Sequence, residues 1–512
     1  NATCRDINFQ TTPPYFVANG LNTNGFKLNV KGNWTVSGSA NSSTSIVDPT
    51  LSPGSVEFNS TLGAQSIGGK TTFNNLTINN TSGTTTLNNS TNVTGVLTTT
   101  AGVLASNGFL VLRSVAGKTA LVNPLSGSIT GDVSVERKIG STSGYHYLAS
   151  PVNGAFINNT VNGWRDDFTI LSSLDGQVFI PGNVYNQLAT VWEYNEADLN
   201  PNPNYGWIGA TGAADPITPF KGFACIVSGN ITVDVKGTLN NGTIPGGFAL
   251  TKVSDGLNLI GNPYPSPISW NALQAQNNTI LSPSGYKAFV STGGYAGAYG
   301  NWDGSVGTNG VTNTIASSQG IFANAIIPGT INAVNSIRNT TYADLGANFF
   351  GGGSVVDLLR MEVQGNGFAN EMAIYFDGTA ADSYESNRDA TLLYAPSGSG
   401  VPNIYAIVDS TDLTINVMGQ LNTDKMVQLG IKIQTPGSYN LVSTDMTSFP
   451  PSVLVYLEDT QVDTLINLRN QDTYTVTMPI GNFKNRFLLH FHPAVSFTTY
   501  DETCIGDDGS VI

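Results

Sequence analysis

The densest group of residues able to hold a cation is Asp377, Asp382, Glu385 and Asp389, in "YFDGTAADSYESNRD". Carboxylate oxygens are hard ligands, and several of them on one loop suit calcium. The same residues also suit a solvated acidic loop between strands. Calcium is the one cofactor this sequence suggests. His490 and His492 alternate on a strand and therefore face one side of a sheet. Two histidines on one face can bind a metal, but no nearby carboxylate pattern completes a site. His146 sits between Tyr145 and Tyr147 without a nucleophile for a partner. No GxSxG, Walker loop or HExxH occurs, so the commonest hydrolytic and phosphate-binding chemistries have no motif here.

A second kind of chemistry is stacking. Trp192, Tyr194, Tyr205, Trp207, Tyr295, Tyr299 and Trp302 fall in two Tyr/Trp-rich stretches. Rings such as Trp207 and Trp302 can lie against sugars, and large aromatics equally fill β cores. Asp198 with Asn200, Asn202 and Asn204 has the look of a calcium loop. Pro201 and Pro203 interrupt it, and no closing Glu follows.

The elements that must position these residues are strands. Of 512 residues only 11% are charged, against about 25% in an average soluble protein. Solubility then rests on Asn, Ser, Thr and Gly, and the 57 Gly and 24 Pro point to many turns. The net charge of −14 argues against nucleic acid as a partner. No apolar run approaches the roughly 20 residues of a membrane span. The opening "NATCRDINF" reads equally as a mature end after signal removal or as an arbitrary boundary. Cys4, Cys225 and Cys504 lie far apart with no CxxC, so at most one internal disulfide is available.

Between Val56 and Leu112, apolar residues pair at a spacing of two: Val56 and Phe58, Leu76 and Ile78, Val93 and Leu97 through Gly95, Leu110 and Leu112. The pairs recur about every 15 to 22 residues, with Gly, Asn and Thr between them. Half-buried strands at a loose fixed period predict a parallel β-solenoid over 25–138, each repeat one coil. A β-sandwich is the competing fold for this segment. Thr favours strands, and Asn and Gly tolerate corner conformations. Solenoids also occur among polysaccharide lyases, which need clustered carboxylates and a basic residue. Between Gly20 and Thr130 the acids are Asp48 and Glu57 alone.

After "VERKIG" the texture changes. "YHYLASPVNG" and "LNLIGNPYPSPISW" are each an apolar strand stopped by a small polar residue and Pro. Each leads through an aromatic stretch to a Gly-led strand, "FKGFACIVSG" or "SQGIFANAII". This predicts a duplicated β unit over 139–345, with copies at about 139–245 and 246–345. "SWNALQAQ" is the best helix candidate, and it is short. From Val355, short alternating runs such as "LLRMEVQG", "EMAIYFDG", "LTINVMG" and "SVLVYLEDT" predict a jelly-roll-like β-sandwich over 346–492. Residues 1–24 are left as an N-terminal extension. The fold class expected is all-β, with a solenoid followed by sandwich-like domains and very little helix.

The run "VYLEDTQVDTLINLRNQDTYTVTMPIGNFKNRFLLHF" resembles the end of a β-sandwich common in large secreted proteins of Bacteroidota. "LIGNPYPSPISW" and "TFNNLTINN" are similar to segments of the same proteins. The resemblance implies export by the type IX secretion system and display at the cell surface or release, without naming an activity. The C-terminal sorting domain of those proteins has no counterpart here. "SFTTYDETCIGDDGSVI", within 493–512, resembles the start of a further immunoglobulin-like domain, which implies a longer protein. In that phylum O-glycans attach at Asp-Ser or Asp-Thr followed by an apolar residue or Thr. Asp409-Ser410-Thr411 and Asp463-Thr464-Leu465 match, so the resemblance implies glycosylation at Ser410 and Thr464.

Together these readings predict a non-enzymatic, structural or adhesin-like surface protein, the subunit of a filament or layer, whose partners are copies of itself or other surface proteins. The alternative is a carbohydrate-binding multidomain protein with glycans as partners, and after it a glycan-active enzyme.

Overall fold

The computed structural model describes residues 2–11, 21, 25–38, 54–157, 159–170, 189–198, 206–210, 215–244, 246–294, 296–339 and 357–493. The fold is nearly all β. The described residues contain one short α-helix, Trp270–Gln276, at the segment expected to be helical. Ser269 caps it, its hydroxyl accepting from the Ala272 N–H at 3.2 Å. The chain divides into two units, Asn1–Gly304 with Gly310–Gly352, and Ser305–Asn309 with Gly353–Ile512.

The first unit begins with a parallel β-solenoid of three ladders. One ladder runs through Ala2–Cys4, Lys27–Val30, Ser55–Phe58, the first halves of Asn75–Leu87 and Val96–Ala105, and Leu121–Val122. The second runs through Ile7–Thr11, Trp34–Gly38, Gln65–Gly68, the second halves of the same two long strands, and Ser128–Thr130. The third stacks Thr71–Phe73, Thr91–Val93, Leu110–Leu112 and Val133–Lys138. Residues 2–11, expected as an extension, instead start two of the ladders. Their separation from the next coil hid the repeat.

Period-two alternation points one column of side chains inward from each ladder: Val56–Leu76–Leu97, Trp34–Ile67–Leu87 and Phe73–Val93–Leu112–Val135. All of these are buried. The outward Asn and Thr residues tie one coil to the next. Asn92 Nδ2 donates to Thr72 Oγ1 at 3.1 Å, and Asn123 Nδ2 to Thr98 Oγ1 at 2.9 Å. A corner shows why Gly is frequent: Gly102 has φ +76°, and an added Cβ there would run into the Asn80 carbonyl.

The third ladder does not continue as a further parallel coil. Thr232–Leu239 pairs antiparallel with Val133–Lys138, from Val133 opposite Gly237 to Lys138 opposite Thr232. On the first ladder the Val122 N–H donates to the Pro265 carbonyl at 2.9 Å, and the Arg338 guanidinium donates to the Val122 carbonyl.

Two four-stranded antiparallel sheets follow, and they share one topology. In the first the order is Gly144–Leu148, Phe223–Val227, Val191–Tyr194, Trp207–Gly209. In the second it is Leu257–Gly261, Gly320–Ala325, Leu281–Gly293, Ala296–Trp302. Each time the first strand in the chain lies beside the last, and the middle two form a hairpin. The "LASP" and "LIGNP" strands occupy equivalent first positions.

In the second unit, strands from Leu358 to His492 form one continuous hydrogen-bonded path. It runs from Thr464–Asn467 at one end to Thr473–Met478 at the other, and is antiparallel except where Phe368–Phe376 meets Thr411–Met418. Leu359, Ile374, Leu429, Leu441, Leu457 and Phe487 share its buried core, as in a sandwich-like domain.

Candidate functional site

The aromatics of the two four-stranded sheets form a seam between them. Tyr147 of the first sheet stacks on Phe289 of the second at 5.4 Å, and its hydroxyl shares a hydrogen bond with that of Tyr299 at 2.7 Å. Trp207 lies edge-on to Tyr194 at 5.1 Å and to Phe322 at 5.8 Å. Trp207 is half-buried there. Trp302 takes the opposite face of the second sheet and is only 5% exposed, with its indole N–H donating to Asn271 Oδ1 at 2.9 Å. Trp302 is therefore core, not a sugar platform. The two tryptophans, one from each Tyr/Trp-rich stretch, thus lie in different sheets and different surroundings. Tyr205, Tyr295 and residues 200–204 lie outside the described residues.

The acidic loop is built without a common centre. Asp377 pairs with Arg388 at 2.8 Å and accepts from the Thr379 N–H at 2.9 Å. Asp382 pairs with Lys425 and accepts from the Gly419 N–H. Glu385 accepts from the Ala381 N–H at 2.8 Å. Asp389 is buried and takes the N–H groups of Val417 and Glu385 at 2.8 and 2.7 Å. Among the described residues no three His, Cys, Asp or Glu side chains are arranged to hold a metal. The acidic loop, read from sequence as either a calcium site or a solvated loop, is a set of local braces, because each carboxylate already serves a backbone N–H or a cation. His490 meets Glu458 at 2.6 Å and His492 meets Asp424 at 3.0 Å, so the two histidines pair separately.

Asp409 and Ser410, both at positive φ, turn the hairpin between Asn403–Val408 and Thr411–Met418. Ser410 is exposed at that tip, and Thr464 is half-buried at the start of Thr464–Asn467. Cys225 is fully buried and free, and Cys504 lies outside the described residues.

Three ionisable groups that the sequence did not single out prove unusual. Glu136 and Asp234 stand directly opposite each other where the antiparallel strand meets the solenoid. Asp167 Oδ2 accepts from the Asp234 N–H at 2.6 Å. Burial pushes Asp167 up to about 7 and Asp234 up to about 6, and the neighbouring carboxylates reinforce both shifts. An acid raised by folding stabilises the fold below its unfolded pKa and loses that contribution as pH rises through its folded value. Asp167→Asn, which keeps the acceptor oxygen, is therefore expected to melt higher than the wild type at pH 8. After allowance for solvent screening the gain is on the order of 1 kcal/mol. Calorimetry at pH 8 and pH 5 checks this, since the difference must shrink at the lower pH.

Glu196, in the turn after Val191–Tyr194, reaches across to the second sheet's leading loop. Its carboxylate accepts from the N–H groups of Val253, Ser254 and Gly256 at 2.6–2.9 Å. Burial alone would raise this carboxyl. Hydrogen bonds from Val253, the Thr251 hydroxyl, Ser254 and Gly256 outweigh it and hold the group below the usual carboxylate range. Glu196→Gln keeps one acceptor oxygen and loses the charge, at an expected cost of about 1–2 kcal/mol. Because the folded pKa is lowered, the wild-type advantage is present above about pH 4.3 and fades as pH falls through the folded value. Urea titration at pH 7 and pH 3.5 measures both arms.

The fold and these placements define a nearly all-β protein, with a parallel solenoid, two antiparallel sheets of one topology and a sandwich-like unit. Residues 22–491 match the family described as Domain of unknown function (DUF8693), and the chain belongs to that family. No curated protein and no solved structure matches the chain. No helix among the described residues is long and apolar enough to cross a membrane.

Proposed function

We propose that this chain is a non-enzymatic structural protein of an extracellular cell surface, adhesin-like or building a surface filament or layer. It is exported, in this reading, as the Bacteroidota proteins it resembles are, by the type IX secretion system. The observation that supports the reading is the set of three parallel ladders, whose interior is filled by aliphatic and aromatic side chains. Stacked ladders provide length and rigidity at about 4.8 Å per coil. Unpaired edges of such ladders are suited to strand addition by another copy or another surface protein. Ser410 and Thr464 are the residues that glycosylation would modify.

The test is imaging of native cell surfaces with an antibody to this chain, together with electron microscopy of the purified protein. A repeating surface assembly is expected. An intracellular location, or turnover of a polymer that stops when one acidic side chain is neutralised, would refute the proposal. Carbohydrate binding is a second reading, favoured by the half-buried Trp207 in the seam. Glycan-array binding that disappears in Trp207→Ala supports that second reading.

A further inference from the structure

The second sheet of the module carries a lysine where a lysine is costly. Lys287, on Leu281–Gly293, stands directly opposite Asn301, on Ala296–Trp302. Both are buried, at 7% and 1% exposure. Their alternation puts them on the face of Phe289 and Tyr299, and the register on the other side sets Lys287 opposite Phe322. Those rings belong to the aromatic seam, so the face is dry. Lys287 Nζ donates to Asn301 Oδ1 at 2.9 Å. Burial pulls the Lys287 amine down to about 8, with Asp255 opposing the shift. Such an amine is neutral, and so nucleophilic, in a substantial fraction of molecules near neutral pH.

An amine held against a side-chain amide on a rigid sheet has the proximity and orientation that aminolysis needs. From this geometry we infer that Lys287 and Asn301 form an intramolecular isopeptide bond, a self-made cross-link between two neighbouring strands. Nζ attacks Cγ of Asn301 and forms the new C–N bond. A proton from Nζ passes to Nδ2, the Cγ–Nδ2 bond breaks, and ammonia leaves. The step is balanced without an oxidant or a cofactor. The cross-link closes a ring around the hairpin tip and fixes the register of strands that bear the seam. The inference stands on the sheet alone and does not depend on the surface role proposed above.

Mass spectrometry of the intact wild-type chain decides it. The expected mass is one ammonia below the sequence, with a branched tryptic peptide joining the Lys287 and Asn301 segments. Asn301→Asp is expected to lose water instead of ammonia and give the same branched product. Lys287→Arg is expected to show the full sequence mass. A wild-type chain at full mass with linear peptides would overturn the inference. So would an ammonia loss traced to a succinimide within one linear peptide.

Discussion

Trp34→Ala is expected to destabilise the first unit by about 3–5 kcal/mol, read as a lowered urea midpoint of the strand signal in circular dichroism. Trp34 is fully buried and lies on the second ladder. Its ring sits 5.1 Å from Phe9, 5.2 Å from Phe73 and 6.3 Å from Phe58. Phe58 comes from the first ladder and Phe73 from the third. One aromatic group therefore fills the solenoid at the level where all three ladders converge. Truncation empties that level, and backbone ladders on three sides cannot collapse into the gap. The indole nitrogen makes no hydrogen bond among the described residues. Trp34→Phe should accordingly cost much less, about 1 kcal/mol or somewhat more. A Phe variant as damaged as the Ala variant would show that the loss is not one of volume.

Asp459→Ala is expected to cost the second unit about 3–5 kcal/mol, because it strands a cation against a buried position. Asp459 is fully buried and grips Arg486 with both oxygens, at 2.9 and 2.7 Å. The Tyr474 hydroxyl donates to the same carboxylate at 2.9 Å. Asp459 lies on Leu454–Asp459, next to one end of the strand path, and Tyr474 on Thr473–Met478 at the other end. One carboxylate thus clasps the two ends together. Burial by itself would raise this acid, but the hydrogen bonds from Arg486, Tyr474 and Gln461 hold it below the usual range. Its contribution is present above an unfolded pKa of about 3.9 and is lost as pH falls through the folded value. Melting curves from pH 7 to pH 2 should bring the wild type toward the variant. The double variant Asp459→Leu with Arg486→Met is expected to recover most of the loss, since it removes both charges.

The solenoid was legible because its inward columns are written as apolar pairs, Leu76 with Ile78 and Leu110 with Leu112, between runs of Asn and Thr. The helix at Trp270 was legible as the short run "SWNALQAQ", the best helix candidate in the chain. Other features depended on contacts far apart in the chain. Nothing local in "NITVDVKGTL" says that it runs backward along a parallel ladder. Lys287 in "SGYKAFVST" reads as the wet side of a half-buried strand, and it is dry only because a second sheet covers that face. Glu196 in "YNEADLN" looks like a solvated turn until the three N–H groups it holds are seen. The acidic loop failed in the opposite way. Its composition was conspicuous, but the spacing of Asp377, Asp382, Glu385 and Asp389 serves separate backbone turns.

The strand that reverses direction at Val133–Lys138 sets a polarity on how such a molecule can evolve. A duplicated coil inserted upstream of it meets only coils like itself, and would heighten the stack by about 4.8 Å. A coil inserted downstream would have to break the junction with the module. Whole coils added upstream thus lengthen the solenoid while one joint stays unchanged, much as a telescoping rod keeps a single fixed collar.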